Sequence, residues 1–509
     1  MLKKRTSGIL LHLTSLPGNH GIGDLGPGAY MFIDFLAGSG QSCWQFLSTG
    51  PTSTAFDNSP YMCRSVFAGN PLLISLELLV RDNYLSADDL DGGSGFSEFS
   101  VDYRSVTEFK NALLKKAFNN FSRSTPSSEF QMFCHKHKNW LDDYALFMSF
   151  REQFDSKPWY EWPDYAARRD TKFLSQYISN HSEKHLYYKF VQFVFFSQWL
   201  KVYDYAKTKN ISLIGDIPIY VALDSADVWA NQELFKIDSQ TLEPLKVAGV
   251  PPDYFSETGQ RWGNPVYKWK TDNGKINKKL YDWWLERFRL IFSMMDMVKI
   301  DHFRGFEAFW EIPAEEKTAV KGRWVKGPGK TFFTTIKAKL KKLPIIAEDL
   351  GFITPAVEKM LEQLGFPGMR VLQFAFESDE KNPYLPHNFG QTNTIVYTGT
   401  HDNNTTLGWF MGSKLSDSTR DRIRRYLNSY DDSRISWEFT RLAMSSVAAM
   451  AIIPMQDILG FGEDCQMNRP GTRSGNWRWR CAHRFLNEEI QQQLLDLTVF
   501  YNRLDIIPQ

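Results

Sequence analysis

The chain has 509 residues, enough for about three ordinary domains or for one large barrel with insertions. Lysine and arginine total 59 against 58 acidic residues, and a net charge of +1 excludes reliance on a cationic face for nucleic acid or a membrane surface. Hydrophobic residues make up 43% and charged ones 23%, as in a folded soluble chain, while an aromatic share of 15%, with 16 Trp and 21 Tyr, suits a surface that stacks sugar rings.

The chain opens on Lys3, Lys4 and Arg5. The apolar run behind them, residues 9–11, stops at His12, well short of the roughly 7–15 residues of a signal-peptide core. The longest apolar run, residues 447–455, is too short to span a bilayer. Five scattered cysteines in so long a chain do not suggest a disulfide framework. These features together predict a cytoplasmic, soluble protein.

Short apolar or β-branched runs recur at residues 7–13, 43–47, 211–217, 295–301, 343–348, 369–374, 393–400 and 448–455. Each ends abruptly in polar residues and most are followed by helical periodicity, which predicts a (β/α)₈ TIM barrel in the α/β class. Residues 1–509 are then a single catalytic barrel. Two long intervals interrupt it, at the C-terminal face. Residues 72–208 carry helical patterns around 106–119, 130–153 and 184–208, and predict a mostly helical insertion beside the barrel mouth. Residues 229–282, rich in Pro, Gly and Trp, predict a long loop over an active site.

Polar residues cluster where such a barrel builds its site. Asp216, Asp301, Glu348, Asp402 and Asp457 fall at or just beyond the C-terminal ends of the predicted strands. Any one of them reads equally well as a helix N-cap. Three stand beside His, Arg or another acid: Asp301 before His302-Phe303-Arg304, Glu348 before Asp349, and Asp402 after His401. Moving a glycosidic bond with retention takes two carboxyls, one to attack the anomeric carbon and one to protonate the departing oxygen. From the residues alone, hydrolysis and transfer remain equally open. Cys134, His135 and His137, and His181 with His185, match no metal signature and read as surface or core side chains. No metal is expected at either set.

The segments around these carboxylates are similar to those of glycoside hydrolase family 77, the 4-α-glucanotransferases also called amylomaltases or disproportionating enzymes. Gly215-Asp216-Ile217-Pro218-Ile219-Tyr220, with residues 224–229, resembles the first signature of the family. Lys299-Ile300-Asp301-His302-Phe303-Arg304-Gly305-Phe306 resembles its nucleophile segment. Ala347-Glu348-Asp349-Leu350-Gly351 resembles the acid/base segment, and Gly399-Thr400-His401-Asp402-Asn403 the stabiliser segment. Further matches at residues 14–26, 59–71, 251–265 and 455–477 spread the likeness over nearly the whole chain.

The resemblance implies a double displacement on maltooligosaccharides and other α-1,4-glucans. Asp301 is the implied nucleophile and Glu348 the acid/base; Asp402, with His401, grips donor hydroxyls and favours the distorted sugar. It implies sugar-contacting roles for Asp216, Lys299, His302, Arg304 and Asn468, and it makes the aromatic stretch with Tyr254 and Trp262 a stacking surface that excludes water. It implies no metal, no organic cofactor and no obligate protein partner. An α-glucan hydrolase and a catalytically impaired glucan-binding protein are the alternatives. The chain departs from the usual family pattern at Lys299, where Arg is common, at Arg261, and in residues 47–52 and 56–62.

Overall fold

The described residues are 4–93, 95–123, 126–252 and 256–504 of a computed structural model. Twelve strands run through them: β1 (Thr6–Leu10), β2 (Cys43–Gln45), β3 (Ser212–Pro218), β4 (Lys246–Val250), β5 (Gln260–Pro265), β6 (Met297–Asp301), β7 (Ala308–Pro313), β8 (Arg323–Lys326), β9 (Ile345–Ala347), β10 (Gly368–Val371), β11 (Thr394–Tyr397) and β12 (Met450–Pro454). Eight of them pair in parallel in the order β10-β11-β12-β1-β2-β3-β6-β9. These coincide with the eight runs predicted from the sequence; most are shorter, while β3 keeps its length and is shifted by one residue. The run at 369–374, for example, turns after Val371 into a 3₁₀ helix, Leu372–Phe376.

The remaining gap is nearly closed, so the sheet is a TIM barrel. Ala347 donates its amide to the Pro367 carbonyl (3.0 Å), and the Met369 amide donates to the Asp349 carboxylate (2.6 Å), which stitches β9 to β10. Such strands are wetted on neither face, so their sequences are continuous apolar runs: Ile300, Ile346, Val396 and Ile452 are fully buried.

Between β2 and β3 the chain builds helices, the longest being Tyr103–Ser122, Lys138–Gln153 and Ser182–Thr208. The last is riveted to the β2 side by two glutamines. Gln192 accepts from the Gly69 amide (2.7 Å) and donates to its carbonyl (2.9 Å); Gln198 does the same with Ser75 (2.7 and 3.0 Å). Each side-chain amide satisfies a buried peptide that has no ladder of its own. Position 69 admits only glycine, because a Cβ there would stand 2.0 Å from the Phe195 ring.

The interval 229–282, expected as a loop, contains β4 and β5. They join β7 and β8, which the sequence reading had not picked out, in an antiparallel sheet ordered β5-β4-β7-β8. A bulge between Val247 and Gly249 bends β4. Glycine is required at 249 because a Cβ would meet the Gln260 carbonyl oxygen at 2.1 Å. None of the five cysteines forms a disulfide. Among the described residues no helix is long and apolar enough to cross a membrane.

Candidate active site

Strand register brings the first polar residues together. On β3 and β6, Asp216 lies opposite Lys299 and Pro218 opposite Asp301. Side chains two apart on a strand share a face, so Asp216, Lys299 and Asp301 all point the same way. The Lys299 ammonium sits 2.8 Å from Asp216 Oδ2 and 3.0 Å from Asp301 Oδ1, and the side chains of Lys299 and Asp216 are almost completely buried. On the other flank of β6, Ile300 pairs with Ala347 of β9, and the next residue, Glu348, donates its amide to the Ile300 carbonyl (3.1 Å). His302 takes a left-handed backbone (φ 52°), uncommon for a residue with a Cβ, and its amide donates to the Glu348 carboxylate.

Across the barrel mouth a second group converges. The Tyr61 hydroxyl donates to Asp216 Oδ2 (2.7 Å) and lies 2.9 Å from His401 Nε2, with the two rings stacked at 5.3 Å. Asn468 donates its side-chain amide to Asp402 (2.7 Å) and its backbone amide to the His401 carbonyl (3.1 Å), which fixes the His401–Asp402 step. Trp477 packs tilted against both Tyr61 and His401. Asp301, Asp402, Asn468, Tyr61, Trp262 and Trp477 line one cleft of about 670 Å³, within the range of small-molecule sites.

Burial raises a carboxyl's pKa and a neighbouring cation lowers it. At Asp301 the Lys299 ammonium overcomes burial, so the carboxyl stays below its ordinary value. At Glu348 burial and the Asp301 charge act together and push the carboxyl up to about 8. Burial works against the charged form of Lys299, but Asp216, Asp301 and Glu348 outweigh it and keep the ammonium protonated. Burial brings His302 down to about 4, so its imidazole is neutral at neutral pH. The outcome is an ionised carboxylate and a protonated carboxyl on adjacent strand ends, a base and an acid in one site.

A family model for glycoside hydrolase family 77, described as 4-alpha-glucanotransferase, matches residues 11–486. The chain belongs to that family. It is an enzyme of the 4-α-glucanotransferase kind. The 4-alpha-glucanotransferase of Synechocystis is 48% identical over 507 residues, 99% of each chain. That of Thermus thermophilus is 44% identical over 485 residues, 94% of each. Among solved structures, an amylomaltase from Streptococcus agalactiae in complex with acarbose is 40% identical, with a TM-score of 0.93 over 98% of this chain and 100% of that one.

The site thus gathers Asp216, Lys299, Asp301, His302, Glu348, His401, Asp402 and Asn468, all singled out from the sequence. Trp262, on β5, lines the cleft and stands edge-on to His302 at 4.8 Å. Tyr254 lies outside the described residues. Arg304 is not gathered in: it stacks on Trp324 and donates to the Phe352 carbonyl. Arg261 points outward and donates to the Ala314 carbonyl (2.8 Å). Trp269, in the stretch expected over the site, is buried against Tyr281, Trp284 and Phe332 instead. Asp457 is buried, accepting from Thr398 and Thr406, and ties the chain after β11 to that after β12.

Tyr61 and Trp477 were visible only as parts of matching motifs, since nothing in spacing links Tyr61 to His401, 340 residues away. His137 and His181 are engaged in ring stacking with Phe196 and Tyr177. Among the described residues, His20, Asp24 and Glu77 bring three possible ligand atoms together, but the Lys110 ammonium, 3.0 Å from Asp24, already supplies the positive charge there.

Proposed function

We propose that this enzyme moves α-1,4-glucan segments between maltooligosaccharides by a retaining double displacement. The Asp301 carboxylate attacks the anomeric carbon of the donor; the glycosidic C–O bond breaks, and the Glu348 carboxyl gives its proton to the departing oxygen. A covalent glucosyl-enzyme results. The 4-hydroxyl of an acceptor then loses its proton to the Glu348 carboxylate and attacks the same carbon, which releases Asp301. Two inversions restore the α configuration. The two carboxyls supply both nucleophile and proton transfer, so the step needs no further group.

The observation that carries the reading is the placement of Asp301 and Glu348 on adjacent strand ends, with the Lys299 ammonium 3.0 Å from the first and burial acting on the second, which sets their protonation apart. Asp402, oriented by Asn468 and His401, is suited to hold donor hydroxyls while positive charge develops at the anomeric carbon. Tyr61 bridges Asp216 and His401 and shapes the same donor position. Trp262 at the cleft wall offers an aromatic face that favours a sugar over water as the acceptor.

Purified enzyme incubated with maltotriose is expected to give a ladder of shorter and longer maltooligosaccharides at a constant number of reducing ends. A rise in reducing ends would make it an α-glucan hydrolase. Binding of glucan with no turnover would make it a binding protein.

A further inference from the structure

Two partly or largely exposed aromatic rings meet at Arg304, Phe352 on the chain after Glu348 and Trp324 on β8. Phe352 is 74% exposed and Trp324 39%, a costly arrangement unless something covers the rings. Between them runs the nearly buried Arg304. Its guanidinium carbon lies 3.8 Å over the Trp324 ring and 5.8 Å from the centre of the Phe352 ring, both within cation–π range. Arg304 also donates to the Phe352 carbonyl. Trp324 is backed edge-on by Trp310 at 5.3 Å, and the indole N–H of Trp310 is fixed to the Ala319 carbonyl (2.8 Å). Before Phe352 the chain takes a left-handed turn at Gly351 (φ 78°), a conformation glycine adopts without steric cost. The rings are therefore preset, and a ligand that covers them loses little entropy in ordering them.

Their place in the fold says which sugar they would meet. Arg304 follows Asp301 by three residues and Phe352 follows Glu348 by four, so the Phe352 Cα is at most about 14 Å from that of Glu348. Phe352 follows β9, which flanks Asp301 on one side, and Arg304 reaches over to its carbonyl, whereas Asp216 and Tyr61 occupy the β3 flank. In the double displacement, Glu348 protonates the departing oxygen and later accepts the incoming proton, so the leaving chain and the acceptor extend on its side.

We propose that Trp324 and Phe352, locked by Arg304, are a stacking platform for a glucose residue distal to the reacting one, and that they set the enzyme's preference for acceptor length. The inference rests on the transferase reading above.

The test holds the donor fixed as maltotriose and follows transfer to labelled glucose, maltose, maltotriose and maltotetraose. The donor's own use of the platform then cancels from the ratio between acceptors. Phe352→Ala and Trp324→Ala are expected to cut the advantage of maltotetraose over glucose as acceptor by about 3–10-fold. Phe352→Trp should restore that advantage. Parent-like ratios in both alanine variants, whatever the common change in rate, would show that the rings do not set acceptor length and would overturn the proposal. A parent enzyme that transfers to none of the four would overturn the transferase reading itself and the platform with it.

Discussion

Lys299→Met is expected to lower kcat/KM on maltotriose by about 10²–10⁴-fold, the loss that follows from removing one partner of a buried ion pair. The ammonium sits between two carboxylates, 2.8 Å from Asp216 and 3.0 Å from Asp301. Without it, Asp301 loses the cation that holds it below its ordinary value, and burial then favours its neutral form. Asp301 then takes up a proton and ceases to be a nucleophile. The acidic limb of the kcat/KM profile should move to higher pH, so the deficit shrinks as pH rises. A fold defect alone would lower the profile without shifting that limb. Lys299→Arg should match or exceed the parent rate, because a guanidinium forks toward both Asp216 and Asp301 and always carries its charge. A large loss in that variant would show a pocket shaped around a compact ammonium.

The barrel strands were legible because they are buried on both faces, which forces continuous apolar runs such as Met-Val-Lys-Ile-Asp, interrupted only where function places a charge. The same logic explains what was missed. Strand β8 is exposed over most of its length, and β5 passes from exposed to buried along its own axis, so neither shows a burial period that a sequence could display. Asp301, Glu348 and Asp402 stood out by their strand ends, but the pairing of Asp216 with Lys299 came only from register. For Arg304 the family resemblance implies a sugar contact, three residues past Asp301. The chain enters a 3₁₀ turn, Phe303–Phe306, and carries the guanidinium away from the carboxylates to Trp324 and Phe352.

Glu348→Gln is expected to cost about 10²–10⁴-fold in kcat/KM on maltotriose, the usual worth of a positioned acid/base. It should also erase the alkaline limb. In the parent that limb reports loss of the Glu348 proton, held up to about 8 by burial and by the charge on Asp301. Activity therefore falls as pH rises through that value; glutamine has no proton to lose, so the residual rate should stay flat there. A donor such as α-maltosyl fluoride needs no protonation of its leaving group, so its first displacement should survive the substitution. Stability gives an independent reading with a definite sign. An unfolded glutamate ionises near its ordinary 4.5, while the folded one keeps its proton to about 8. Across that window the native state binds more protons than the unfolded state, so unfolding free energy falls as pH rises. Glutamine removes this penalty. The variant's Tm should equal the parent's below about pH 4.5, exceed it by a growing margin up to about pH 8 and hold that margin beyond. A Tm difference independent of pH would mean that Glu348 is ionised in the resting enzyme, and the assignment of the acid would fail with it.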